Sequence, residues 1–205
     1  MFEAPPVYAD IETARDFVGA HLPPTPLVHC WKLSAMLGCQ YYSKCENLQP
    51  VGAFKVRGGV NLLGRLDAEQ RQRGVISAST GNHGQSLAFA GRLFGVPVII
   101  YGPQHQSNPA KVQAMRALGA EVRRYGRDCD EAREEVERGA QGEGAAAADG
   151  DGTVVGAPRP LWAGGALGCG EGFPEPGSSL GRSKSKISFV GCGEFSELCW
   201  RNRLG

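Results

Sequence analysis

The feature that most constrains the fold of this 205-residue chain is a regular alternation of apolar runs and amphipathic segments in its middle part. The run Val96–Tyr101 is continuously apolar, which is typical of a parallel strand that is covered on both faces. Segments with the 3.6-residue apolar period of helices lie between such runs. This alternation predicts an α/β fold built on a doubly wound parallel sheet.

Caps and stops in the sequence set the bounds of the individual elements. Asn82–Phe94 is predicted to be a helix because Gly95 supplies a C-terminal stop. Asn108 and Pro109 form a cap and first-position pair for the next helix. The other predicted elements are a first helix capped by Asp10, a short helix Leu33–Leu37, the strands Gln40–Lys44, Gly74–Ala78 and Glu121–Tyr125, and a helix from Asp128 to Arg138.

The composition changes from Gly139 onward. This last third of the chain holds 16 of the 30 glycines and few of the large apolar residues that build a core. We expect most of 139–205 to be disordered or poorly packed, with Lys186–Val190 as the best strand candidate. A shifted reading frame in GC-rich DNA would give such a change, which we hold as a hypothesis.

The net charge, the apolar runs and the cysteine spacing argue against several classes of function. A net charge of +1 gives no reason to expect nucleic acid or an anionic membrane surface as a partner. No apolar run approaches the roughly 20 residues that span a bilayer. The first residues lack the pattern of a secretory signal, so a cytoplasmic location is expected. The seven cysteines lack zinc-ligand spacing, and neither a metal site nor a disulfide framework is predicted.

A single lysine, Lys55, follows a Pro/Gly turn at the start of an apolar-periodic segment. The spacing predicts a helix that begins near Ala53, with Lys55 in its first turn. Helix starts disfavour cations, so this position suits a neutral amine, which can form a Schiff base with a carbonyl compound. Gly58 and Gly59 indicate that another group approaches the same helix closely. A lone lysine beside a turn is also typical of an ordinary surface position.

A second motif joins the end of a predicted strand to the start of a predicted helix, and it has the sequence Ser77-Ala78-Ser79-Thr80-Gly81-Asn82-His83-Gly84-Gln85. Backbone N–H groups and side-chain hydroxyls converge at such helix starts and bind anions. The motif does not fit Gly-x-Gly-x-x-Gly, and no phosphate-loop lysine follows it. Neither a dinucleotide site nor a nucleoside-triphosphate site is therefore predicted.

Together the two motifs resemble pyridoxal-phosphate-dependent enzymes of the tryptophan-synthase-β fold type, in particular their threonine/serine dehydratase and serine racemase branch. The resemblance covers about two-thirds of the chain and less than half of a full-length family member. It implies an N-terminal part of the large domain at 1–50, a small domain with the cofactor lysine at 51–138 and a tail unlike the family at 139–205. It extends from Thr25-Pro26-Leu27, through Lys44-Cys45-Glu46-Asn47-Leu48-Gln49-Pro50 and Gly52-Ala53-Phe54-Lys55-Val56-Arg57-Gly58, to about Arg138.

The resemblance also implies roles for the site residues. Lys55 would hold pyridoxal 5'-phosphate as a Schiff base and move the Cα proton, and Phe54 would pack against the cofactor. Asn82 would hydrogen-bond the 3′-oxygen of the pyridine ring. Thr80 would be a second catalytic residue, because the racemase branch has a hydroxyl at this position on the opposite face of the substrate. The substrate carboxylate would be held by Ser79, Thr80, Asn82 and His83.

The implied reaction converts threonine or serine, a small amino-acid substrate, into a 2-oxo acid and ammonia, and full-length members would be homo-oligomers. His83 favours elimination, because the β-replacement enzymes of the family usually have threonine there. The glycine-rich loop for the cofactor phosphate has no convincing counterpart, since a glycine-rich tail also yields the segment Ile187–Gly193 by chance. Two alternatives stay open: an inactive truncated fragment with at most weak cofactor binding, and an amino-acid racemase of the same family.

Overall fold

A computed structural model describes residues 7–79, 81–104, 108–143, 146–148, 154–155 and 185–189. The elements form two compact units, Met1–Pro23 with Lys55–Ala166 and Pro24–Phe54 with Leu167–Gly205. The helices are α1 (Tyr8–Gly19), α2 (Trp31–Leu37), α3 (Val56–Gly64), α4 (Ala68–Arg73), α5 (Asn82–Phe94), α6 (Pro109–Ala117) and α7 (Cys129–Glu143). The strands are β1 (Leu27–His29), β2 (Gln40–Lys44), β3 (Val75–Ala78), β4 (Val98–Gly102), β5 (Glu121–Arg124), β6 (Ala146–Ala148), β7 (Val154–Val155) and β8 (Ser185–Phe189).

The larger unit is built on a five-stranded sheet with the strand order β5-β4-β3-β6-β7. Its pairs β5–β4, β4–β3 and β3–β6 are parallel, whereas β6 and β7 are antiparallel. In the central pair, Ala78 lies beside Tyr101, so the carboxyl ends of β3 and β4 meet at the same edge of the sheet. The predicted α/β fold with a parallel sheet is confirmed.

Helices cover both faces of this sheet. On one face, Ile76 of β3 shares a buried cluster with Ala132 and Val136 of α7. On the other face, Gly91 of α5 lies so close to β4 that a Cβ atom on it would meet Cγ2 of Val98 at 2.5 Å. Burial from both sides explains why the run that contains β4 is continuously apolar in the sequence.

The C-terminal end of α3 packs against two aromatic side chains. The rings of Phe17 in α1 and Phe94 in α5 are stacked, with their centroids 6.3 Å apart. Gly64, the last residue of α3, lies beside both rings, and a Cβ atom on it would come within 2.4 Å of Phe17 and 2.9 Å of Phe94. Close backbone approach at Gly64 therefore fixes this end of α3 against its neighbours.

Several elements have the bounds that the sequence predicts. The helix Asn82–Phe94 ends at Gly95, which adopts the left-handed conformation with φ 68°. The strand Gln40–Lys44 is also found as predicted. Asn108 caps α6, because its Oδ1 accepts a 2.9 Å hydrogen bond from the backbone N–H of Ala110. Strong local stops and caps account for this agreement.

Three predictions about element bounds were wrong. The helix expected near Ala53 begins at Val56, because Gly52 adopts a left-handed conformation with φ 69° in the turn that precedes the helix. The last long helix was predicted to end at Arg138 but runs to Glu143, through the point where the composition changes. The strand predicted over Val96–Tyr101 begins only at Val98.

The smaller unit contains a three-stranded sheet with the order β1-β2-β8, in which β1 and β2 are antiparallel and β2 and β8 are parallel. The hydroxyl of Thr25 donates a hydrogen bond to the buried carboxylate of Glu46, and Nζ of Lys44 donates one to the carbonyl oxygen of Thr25 at 2.6 Å. The strand predicted at Lys186–Val190 is found as Ser185–Phe189. Val190 lies outside the described residues, as does most of the predicted tail.

The predicted domain boundaries after residues 50 and 138 stay predictions. Among the helices that the structure describes, none is both long and apolar enough to cross a membrane.

Candidate active site

Lys55 is the N-cap residue of α3, with backbone angles φ −58° and ψ −21°. Its carbonyl oxygen accepts hydrogen bonds from the N–H groups of Gly58 at 3.1 Å and Gly59 at 3.3 Å, which close the first turn of the helix. The side chain of Lys55 is half-buried. The amine therefore extends from an ordered point of the backbone while part of its side chain stays open to solvent.

Ser86 of α5 holds this first turn of α3 in place. Its Oγ donates a 2.6 Å hydrogen bond to the carbonyl oxygen of Lys55 and accepts a 3.1 Å hydrogen bond from the N–H group of Gly59. Ser86 is fully buried. A Cβ atom on Gly59 would lie 2.3 Å from Oγ of Ser86 and 2.6 Å from its carbonyl oxygen. The close approach that the glycine pair predicted is thus confirmed at Gly59, and the approaching residue is Ser86.

The turn that joins β3 to α5 is organised by Ser79. Its backbone N–H donates to the carbonyl oxygen of Tyr101 at 2.9 Å, which ties the turn to the end of β4. Its Oγ accepts hydrogen bonds from the N–H groups of Gly81 at 3.2 Å and Gly84 at 2.9 Å. A hydroxyl has two lone pairs and one hydrogen, so this Oγ can still donate its own hydrogen. A carboxylate oxygen is a suitable acceptor for that hydrogen.

Asn82 and His83 open α5, and both side chains are half-buried. Nε2 of His83 is shielded from solvent. The first turn of α5 carries no acidic residue, so no carboxylate of its own neutralises the positive end of the helix dipole. The N-terminal end of α5 therefore has the N–H groups and the partial positive charge that suit a small anion.

The structure brings most of the predicted site residues to one helix. Ser79, Asn82 and His83 lie in or directly before the first turn of α5, and the backbone of Lys55 contacts the same helix at Ser86. Asn82 and Ser86 are one helical turn apart, about 6 Å along the axis. Thr80 lies outside the described residues.

Phe54 is half-buried and ends the other compact unit, so its predicted packing against a cofactor stays a prediction. Ser86 was missed by the sequence prediction, although the glycine at position 59 signalled that some residue had to approach the helix there.

The fold and the site together define a class: an α/β protein in which a lysine and a strand-to-helix turn are held by two packed helices on a parallel sheet. The family follows from a direct match. Residues 18–157 match the model of the family described as pyridoxal-phosphate dependent enzyme, and the chain belongs to this family. The match extends past Arg138, where the sequence resemblance was predicted to end. The predicted cofactor, pyridoxal phosphate, is the cofactor of this family.

Individual relatives belong to the branch that the motifs predicted. The chain is 44% identical over 125 residues to an L-threonine ammonia-lyase of Geobacter sulfurreducens, a match that covers 61% of this chain and 31% of the relative. It is 34% identical over 126 residues to the serine racemase of Schizosaccharomyces pombe, covering 62% and 39% of the two chains. The structure of maize serine racemase superimposes with a TM-score of 0.64 at 29% identity, covering 68% of this chain and 42% of that one. The chain thus spans well under half the length of these relatives.

The described residues fit the reactive side of this cofactor. The cofactor has an aldehyde, a ring oxygen and a phosphate, which call for an amine, a hydrogen-bond donor and a nest of N–H groups. Lys55, the N-cap residue of α3, would supply the amine, and the side-chain amide of Asn82, the first residue of α5, would supply the donor. The candidate phosphate loop, which would include Gly191 and Gly193, lies outside the described residues.

Proposed function

We propose that this protein is a pyridoxal-phosphate-dependent ammonia-lyase that converts threonine or serine into a 2-oxo acid and ammonia. The observation that carries the proposal is the hydrogen bond between Ser86 Oγ and the carbonyl oxygen of Lys55. It holds the lysine backbone about one helical turn from the anion-binding start of α5. The relatives named threonine ammonia-lyase support the same class of reaction.

Each site residue has a proposed task in this reaction. The amine of Lys55 would hold the cofactor through its aldehyde carbon, and the same amine would take the proton from Cα of the substrate. When bound, the cofactor supplies a conjugated ring that accepts the electron pair left at Cα. Asn82 donates a hydrogen bond to the ring oxygen. Ser79 and His83, together with the N–H groups of the turn, bind the carboxylate of the substrate.

The overall reaction balances without an added oxidant or reductant. The substrate loses its Cα proton and its β-hydroxyl group as water, and a water molecule later replaces the amino group. The net products are one 2-oxo acid and one ammonia for each hydroxy amino acid. The parts that this proposal assigns are one amine base, one carboxylate-binding turn and the cofactor.

The proposal is tested by adding pyridoxal phosphate to the protein and to Lys55→Ala. The cofactor aldehyde gains a visible absorbance band when it condenses with a lysine amine, and we expect this band in the wild-type protein alone. L-Threonine should then give a 2-oxo acid, measured by a coupled reduction, and turnover should fall by several orders of magnitude in Lys55→Ala. Equal spectra for the two proteins would contradict the proposal and favour the inactive-fragment alternative.

A racemase is the second candidate function, because serine racemases are among the relatives and the superimposed structures. Thr80 would be its second-face proton donor, a role proposed from the resemblance alone. Chiral chromatography of the products from L-serine separates the two functions. A lyase gives pyruvate and ammonia, whereas a racemase gives D-serine.

A further inference from the structure

A lysine on α6 lies against the turn that starts α5. A Cβ atom on Gly81 would come within 3.4 Å of Nζ of Lys111 and within 4.0 Å of its Cδ. One helical turn further along α6, a Cβ atom on Gly84 would lie 2.6 Å from Sδ of Met115. The two contacts share one face of α6, so the packing of α6 against α5 determines the position of Lys111.

This placement of the Lys111 ammonium concentrates positive charge at one point. Lys111 lies in the first turn of α6, and its Nζ reaches the N-cap residue of α5. Neither helix has an acidic residue in its first turn. None of the ion pairs between described residues includes Lys111. A cation beside two helix starts is unfavourable unless an anion binds among them.

The geometry points to Lys111 as a further binding residue for the carboxylate of the amino-acid substrate. This inference rests on the proposed function, in which Ser79, His83 and the N–H groups at the start of α5 hold that carboxylate. Lys111 is half-buried, so its stem is partly covered while its ammonium lies beside the turn. There it supplies the full positive charge that hydroxyls and N–H groups lack. Lys111 would therefore select substrates that carry a free carboxylate over neutral analogues.

The test compares an acid with its amide. L-Alanine and L-alaninamide both condense with the bound cofactor, but neither has a β-hydroxyl group that could be eliminated. Their dissociation constants are measured from the visible absorbance of the protein loaded with pyridoxal phosphate. In Lys111→Met we expect the affinity for L-alanine to fall roughly 10- to 100-fold, the usual effect of losing a hydrogen bond to a charged group. The affinity for L-alaninamide should change by less than about twofold, because the amide carries no charge for Lys111 to bind.

Two further variants complete the test. Lys111→Arg keeps the charge and should retain most of the discrimination between acid and amide. Arg116→Met removes the same charge from an exposed position on α6, and it should leave both affinities unchanged. An equal loss of affinity for acid and amide in Lys111→Met would show that Lys111 only holds the turn, which would overturn the inference. An unchanged affinity for L-alanine would overturn it as well.

A failure of the proposed function has a different signature. If wild-type protein gains no visible band with pyridoxal phosphate, the lyase proposal is wrong, and the role of Lys111 is then decided by acetate. Acetate should raise the thermal unfolding midpoint of the wild type and Arg116→Met more than that of Lys111→Met. Equal increases in the three proteins would overturn the carboxylate-binding role.

Discussion

The side chain of Ser86 and the main chain of Lys55 are joined by a 2.6 Å hydrogen bond that runs between two packed helices. The same Ser86 hydroxyl accepts the N–H group of Gly59, so one buried oxygen holds both ends of the first turn of α3. The position of the lysine backbone is therefore coupled to the packing of α5. Substitutions that loosen this contact should lower both the stability of the fold and the affinity for the cofactor.

Replacing Ser86 with alanine should destabilise the protein. The change removes both hydrogen bonds of the Ser86 hydroxyl and leaves the N–H group of Gly59 with only its 3.3 Å bond to the carbonyl oxygen of Lys55. Losing two buried hydrogen bonds costs about 1–3 kcal/mol in the free energy of unfolding. Urea denaturation measures this loss. Titration with pyridoxal phosphate should show weaker binding in the same variant, since Lys55 would no longer be fixed to α5.

Ser77→Ala is the matched control for that change. Ser77 is fully buried in β3, and its hydroxyl has no hydrogen-bond partner within the described part of the chain. Removing a buried hydroxyl that makes no hydrogen bond is expected to be neutral or to stabilise by up to about 1 kcal/mol. If the free energy of unfolding fell as much in Ser77→Ala as in Ser86→Ala, the assigned role of Ser86 would be contradicted.

Gly59→Ala should disrupt the same contact between α3 and α5 by changing the residue on α3. Its new methyl group would overlap Oγ and the carbonyl oxygen of Ser86, so α3 would have to move away from α5. Overpacking of this kind costs about 1–3 kcal/mol, although alanine is otherwise the better helix former by about 1 kcal/mol. Gly19→Ala is the control, because no atom of the described residues lies within 4 Å of the added methyl group there. If both variants had the same unfolding midpoint, the close approach at Gly59 would be refuted.

Asn82→Ala should separate cofactor binding from turnover. Lys55 keeps its amine, so the visible band with pyridoxal phosphate should persist, shifted in wavelength because the ring oxygen loses its hydrogen-bond donor. Turnover of L-threonine should fall about 100-fold, which is the usual effect of removing one donor from a developing charge. Gln113→Ala changes an exposed amide on α6 and should leave band and turnover as they are. Full activity in Asn82→Ala would show that the proposed role of Asn82 is wrong.

Short-range signals were sufficient to predict the elements that carry the site. The helix Asn82–Phe94 is flanked by glycines, and Gly95 takes the left-handed conformation that its type allows. The start of the Lys55 helix was predicted three residues early, because apolar periodicity continues through the turn before it. The helix α4 was not predicted, although Asp67 and Gln70 form a capping box with hydrogen bonds of 2.8 and 3.0 Å.

Contacts between distant parts of the chain could not be predicted in the same way. Ser86 is 31 residues from Lys55, and Lys111 is 30 residues from Gly81, so neither pair leaves a local pattern. The glycine at position 59 showed that a neighbour must approach, but its identity depends on how α3 and α5 pack. Only the assembled fold reveals which side chains meet at the turn.

The most direct measurement of the central claim is a map of the covalent bond between protein and cofactor. The protein is incubated with pyridoxal phosphate, reduced with borohydride, digested and analysed by mass spectrometry. We predict a single phosphopyridoxyl group on the peptide that contains Lys55, and none on that peptide when Lys55→Ala is treated in the same way. A label spread over exposed lysines such as Lys32, or no label on Lys55, would contradict the assignment of Lys55 as the cofactor lysine.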